Sequence, residues 1–125
     1  MNRHEYRIKV VEIVYQHLLL KKTFNELARI NLKDIPVDDY FKKIINYCRR
    51  NIDNMIIEIS PLLNKWEFDR LNFVSQAILL VACSEIKLAV EDKAVIIDEA
   101  IEIAKTYSDE DDYKFINGVL DSYVK

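Results

Sequence analysis

At 125 residues with a formal net charge of −3, the chain has the size of one domain. Half of it is apolar and 31% charged, an ordinary soluble profile, but one Gly and two Pro are too few for a turn-rich sheet protein and favour long helices with short connections. The longest apolar run, Ala77 to Cys83, is far shorter than the roughly 20 residues of a membrane span. Met1 to Lys9 carries no leader-like apolar core, so a cytoplasmic location is expected.

The first helix is predicted over about Arg3 to Leu20, with Ile8, Val11, Tyr15, Leu18 and Leu19 as its apolar stripe and Arg3, Arg7, Glu12 and Gln16 on other faces. A second, short helix over Phe24 to Ile30 uses Phe24, Leu27 and Ile30. Pro36 punctuates the break before a third helix, about Val37 to Ile59, which opens on Asp38 and Asp39. Its stripe is Phe41, Ile44, Ile45, Cys48, Ile52, Met55, Ile56 and Ile59. Ser60-Pro61 ends that helix and starts a short turn.

Trp66 stands at a junction before a long segment, Glu67 to Leu88, whose stretch from Ala77 to Cys83 is apolar all round and suits the centre of the fold. A sixth helix is expected over Lys93 to Tyr107, burying Ala94, Ile97, Ile101 and Ala104. A seventh follows Ser108, with Ser108 and Asp111 as a capping box and Phe115, Val119 and Ser122 or Tyr123 facing inward. The only glycine, Gly118, lies inside that last helix, where it is expected to face a neighbouring helix closely. Asn117-Gly118 is therefore not read as a hairpin turn, because its flanks repeat at helical spacing.

Catalytic signatures are absent. There is no Gly-rich phosphate loop, nucleophile elbow or paired-histidine motif, so neither an enzyme nor a cofactor is expected. Cys48 and Cys83 form no CxxC pair and read as reduced and buried. The acidic run Asp109 to Asp112 lacks the spacing of a calcium loop and suits a helix start instead. Charge is uneven: residues 1–65 carry 12 Lys/Arg against 8 Asp/Glu, and residues 66–125 carry 6 against 13. A basic half and an acidic half suit two different partners, unless both are solvated helix faces.

Several ordered motifs then coincide: Trp66 with Asp69-Arg70-Leu71, Gln76 to Leu79 running on to Ser84-Glu85-Ile86, Val95 to Lys105, and Tyr107 to Asp121. With Arg3, Arg7 and Val14-Tyr15-Gln16 in the first helix, this pattern resembles the NusB family of transcription antitermination factors across nearly all of residues 66–121. The resemblance implies an all-α fold of about seven helices in two small subdomains packed crosswise, about 1–60 and 61–125, with no cofactor. It also implies binding of boxA-type single-stranded RNA from ribosomal RNA leaders together with the ribosomal protein NusE, in a complex that joins RNA polymerase. Some members self-associate, which leaves a homodimer open. Similar domains also occur fused to RNA cytosine methyltransferases, and a protein-interaction module that has lost RNA recognition is a further alternative.

The expected phosphate contacts are Arg3, His4, Arg7 and Lys9 on the first helix. Tyr107, Asp111, Lys114 and Phe115, at the junction of the last two helices, are the expected base contacts; core packing is the competing role for Tyr107 and Phe115. Glu67, Asp69, Asn72 and Ser75 are the expected contacts to NusE. Four positions depart from the family pattern: Glu5 interrupts an arginine cluster, Leu80 replaces a frequent arginine, Asp98 an asparagine and Asp92 a proline.

Overall fold

The computed structural model describes all 125 residues, with helices as the only regular secondary structure. They are α1 (Arg3–Leu20), α2 (Phe24–Asn31), α3 (Asp39–Ile59), α4 (Phe73–Leu88), α5 (Lys93–Tyr107) and α6 (Asp112–Tyr123). Two 3-10 turns, Ser60–Leu63 and Phe68–Arg70, separate α3 from α4. No helix is long and apolar enough to cross a membrane.

Side-chain caps set most of the helix starts. Asn2 and Glu5 form a reciprocal capping box on α1, so Glu5 has a structural task of its own. The side chains of Thr23, Asp38 and Asn72 accept the amides of Glu26, Phe41 and Ser75 at the starts of α2, α3 and α4. Each such cap contributes about 1 kcal/mol. Asn72 also explains why the segment from Glu67 is not one helix: its cap starts α4 only at Phe73.

α4 is the centre. Every residue from Ser75 to Glu85 is buried, and α1, α3, α5 and α6 all pack against it. One continuous apolar core extends from Tyr6 in α1 to Leu120 in α6.

Several expected faces are rotated. α1 buries Tyr6, Val10, Ile13 and Val14 together with Val11, while Leu19 is exposed and Ile8, Tyr15 and Leu18 are half-buried. Ile30, Ala94 and Ser122 are exposed. In α6 the inner positions belong to Ile116, Val119 and Leu120, with Phe115 and Tyr123 half-buried. Gly118 is exposed, and a Cβ added there would meet nothing within 4 Å. The expected close helix contact does not exist, and no neighbour within the chain explains the glycine.

The largest correction concerns Arg7, which is only 2% exposed. Its Nε and Nη2 donate to Oε1 and Oε2 of Glu85 at 2.8 and 2.7 Å. Nη2 also donates to Glu91 at 3.1 Å, and Nη1 lies 3.6 Å from Glu99. Burial works against the charge of Arg7, but the hydrogen bonds and charge of Glu85 outweigh it and raise its pKa further. The same setting pushes the Tyr40 phenol up, through burial first and then the charge of Glu85. A guanidinium committed in this way has no free edge for a phosphate.

The end of α5 and the start of α6 are tied by Asp112 rather than by the expected Asp111. Asp111 takes a left-handed conformation, φ 72°, so the helix begins one residue later. Oδ2 of Asp112 accepts from Ser108 Oγ at 2.6 Å, Asn72 Nδ2 at 2.8 Å and the Asp109 amide at 3.1 Å. Three helix ends, those of α4, α5 and α6, thereby meet at one carboxylate.

Two outcomes are expected. Arg7→Ala leaves Glu85 buried without its partner and costs about 3–5 kcal/mol in urea unfolding, while the double variant Arg7→Met, Glu85→Leu recovers most of that loss. Burial raises the pKa of Asp112, but its hydrogen bonds from Ser108, Asn72 and the Asp109 amide prevail and lower it. Its stabilisation is therefore present above the unfolded carboxyl pKa of about 3.9 and disappears as pH falls through the lower folded value. Asp112→Asn should thus show a lower urea midpoint than the natural protein at pH 7, and the gap should narrow in acid.

Candidate nucleic-acid interface

The basic start of α1 is largely neutralised from within. Arg3 and Arg7 stand one turn apart on the same face, which is turned toward carboxylates of α4 and α5 and the segment joining them. Arg3 Nη1 donates to Glu91 at 2.9 Å while its guanidinium lies 4.2 Å above the Tyr40 ring. His4 Nδ1 is 2.7 Å from Glu99 Oε2, and Lys9 Nζ is 3.4 Å from Glu12 Oε2. Of the four expected phosphate contacts, Arg7 is unavailable, and Arg3, His4 and Lys9 are exposed or half-exposed but held by carboxylates.

The expected base contacts divide between two recesses. Phe115 walls a cleft of about 350 Å³ with Trp66, Arg70, Leu71, Asn72, Ser75 and Asp112. Trp66 is 59% exposed there, and Arg70 is exposed with no carboxylate partner. On its other side Phe115 borders an adjoining hollow of about 370 Å³ that reaches Lys114, Asn64 and Gly118. Lys114 is exposed beside Asp111, at 3.5 Å. Tyr107 faces elsewhere: it is exposed at an apolar groove of about 220 Å³ with Ile8, Val11, Tyr15, Val74 and Ile103, and Glu12 on its edge.

The four residues expected to face NusE are not alike. Glu67 and Asp69 are exposed and unpaired around the 3-10 turn Phe68–Arg70. Ser75 is buried and bonded to Ser108, at 3.2 Å between hydroxyls. Asn72 spends its side chain on the α4 cap and on Asp112. These last two belong to the walls of the Phe115 cleft and hold it in shape.

Two features escape a linear reading. Trp66 and Arg70 gain significance only when α6 brings Phe115 beside them. The apolar groove arises because α1 carries more apolar residues than one buried face can take, and that surplus was the available signal. No group of three His, Cys, Asp or Glu side chains is placed to hold a metal. Both cysteines are free and buried, and burial pushes the Cys48 thiol up to about 12, out of the reactive range.

The whole architecture has known counterparts. Residues 4–125 match the model of the NusB family. The transcription antitermination protein NusB of Neisseria meningitidis is 37% identical over 125 residues, covering 95% of this chain and 87% of that protein. Among solved structures, T. maritima NusB superposes with a TM-score of 0.89 at 30% identity, covering 98% of this chain and 90% of that one. A crystal structure of the antitermination factors NusB and NusE in complex with double-stranded RNA gives 0.86 at 26% identity, covering 98% and 97%. With the fold, the helix order and nearly the full length shared, the chain belongs to the NusB family of transcription antitermination factors, which are not enzymes.

Proposed function

We propose that the protein binds single-stranded boxA-type RNA of ribosomal RNA leaders together with NusE, and that this assembly joins transcribing RNA polymerase in the cytoplasm to support antitermination. The observation that carries the RNA part is the cleft in which Trp66, Arg70 and Phe115 present planar groups around Asn72 and Asp112. Unpaired bases bind proteins by stacking on aromatic rings and guanidinium planes, with polar groups reading their edges. The adjoining hollow at Lys114 continues the same surface and offers one cation for a phosphate.

The partner part is supported by the apolar groove at Ile8, Tyr15, Val74 and Tyr107, which no segment of this chain covers. A relative of the same fold has been crystallised with NusE and RNA. The acidic half, with Glu67 and Asp69 free, suits a basic ribosomal protein and speeds encounter more than it tightens binding. A second reading, a protein-interaction module without RNA recognition, is favoured by one observation: the internal pairing of Arg3, His4 and Arg7.

An RNA titration at low salt, with and without NusE, separates the two. Binding that strengthens with NusE supports the first, and no binding in the presence of NusE selects the second. Trp66→Ala, at an exposed position, should leave thermal unfolding unchanged and weaken RNA binding about fivefold or more, since one stacked base contributes about 1–3 kcal/mol. Val74→Asp should lower NusE affinity at least about tenfold in calorimetry, because it places an unpaired charge inside the groove. An unchanged NusE affinity would exclude the groove as the docking face.

A further inference from the structure

The chain's free cations do not lie at the start of α1. Arg3, Arg7, Lys9, Lys87 and Lys114 each have a carboxylate within 4 Å. Lys42, Lys43, Arg49 and Arg50 of α3 are all exposed, and none forms an ion pair. At 3.6 residues per turn these four fall with Asn46 and Asp53 in one sector roughly 120° wide. Two pairs, Lys42 with Arg49 and Lys43 with Arg50, repeat two turns apart, about 10 Å along the axis. Asp53 is three and four residues beyond Arg50 and Arg49, within helical reach, yet it bridges to neither. The opposite side of α3, at Ile44, Ile45, Cys48 and Met55, is buried, so the helix cannot turn this row away from solvent.

We propose that this face of α3 is a second, sequence-independent contact for RNA, taking backbone phosphates that flank the bases held in the Trp66–Phe115 cleft. The proposal rests on the RNA-binding function above. Between Lys42 and Asp53 the sector holds no apolar side chain, and the single exposed Ile57 one turn further on falls short of the cluster of buried aromatic or aliphatic anchors that a protein partner needs. A phosphate track needs only cations on flexible stems, which release condensed counterions when they bind. Arg49 also borders an open cleft of about 350 Å³ with His17, Thr23, Phe24, Asn25 and Ile52, which leaves room beside that member of the row.

The test uses the full chain with NusE and two RNAs: a boxA-type strand just long enough for the C-terminal cleft, and the same strand extended by uridines. The quadruple variant Lys42→Gln, Lys43→Gln, Arg49→Gln, Arg50→Gln should bind the short strand as the natural protein does. It should bind the extended strand at least about tenfold more weakly at low salt, with a salt slope reduced by about 0.7 for each phosphate that is no longer neutralised. A control variant, Lys33→Gln, Lys93→Gln, Lys125→Gln, changes net charge at exposed positions elsewhere. An equal loss per charge in the control would overturn the proposal, as would an unchanged slope on the extended strand. Unchanged RNA binding with abolished binding to polyglutamate would overturn it too, by assigning the face to an acidic protein. If the natural protein binds neither RNA with NusE present, the RNA function itself fails, which is a different result from a variant that behaves like the natural protein.

Discussion

Glu85 is a carboxylate one turn from the end of a helix buried on every side, and Arg7 is the partner that compensates its burial there. A buried ion survives only with a partner of good geometry, and the two-pronged contact from Arg7 supplies it. The pairing fixes both the rotation and the register of α1 against α4. Residues about a quarter turn away from Arg7 on α1, Ile8 and Tyr15, then have to stand at the edge of the core. Out of that constraint comes the apolar groove shared with Val74, Ile103 and Tyr107. A hydrophobic pair at the same place would hold the helices together as well, but it would not select one rotation as sharply.

The same interaction changes the meaning of the charge asymmetry. Part of the positive excess of residues 1–65 is answered inside the molecule by Glu85, Glu91 and Glu99 of the acidic half. Those charges hold α1 in place and contribute little outward field. The remaining excess lies on α2, α3 and the segments beside them, where the cations are exposed and unpaired. Local geometry, not the net count, decides which cations are available to a polyanion.

Local signals carried most of the fold. The bounds of α1 and α5 are those read from the sequence, and α3 differs only at its first residues, because each helix is a long run without Gly or Pro that stops at a turn or cap. What failed were the contacts between distant segments. Arg7 lies 78 residues from Glu85, and nothing near either residue announces the pair; a phosphate contact was the expectation for an arginine in the basic first turns of the chain. The expected capping box of Ser108 and Asp111 does not form: Asp111 is a left-handed N-cap without a side-chain cap bond, and a left-handed residue within a run of four acidic residues leaves no mark in the pattern. Gly118 was legible as unusual but not in its surroundings. Phe115 is a candidate base contact in the sequence and lines the cleft; Trp66 and Arg70, its neighbours across that cleft, come from a short irregular segment and a 3-10 turn with no periodicity to interpret.

The cleft's polar groups constrain what it can recognise. Asn72 and Ser108 are already committed to Asp112, and all three bonds to that carboxylate fall on Oδ2. Oδ1 remains as an acceptor, and the Arg70 guanidinium remains as a set of donors. Stacking on Trp66 and Phe115 tolerates any base, since every base has a π-face. In the proposed complex, then, affinity and choice come from different residues: the aromatic pair holds a base, while Arg70 and the free edge of Asp112 face its hydrogen-bonding edge. The carboxylate that ties three helix ends together also lines the proposed recognition surface, so a change at Asp112 made to probe base choice cannot be separated from the packing of α4, α5 and α6. Arg70 carries no such structural load, and on it the two roles come apart.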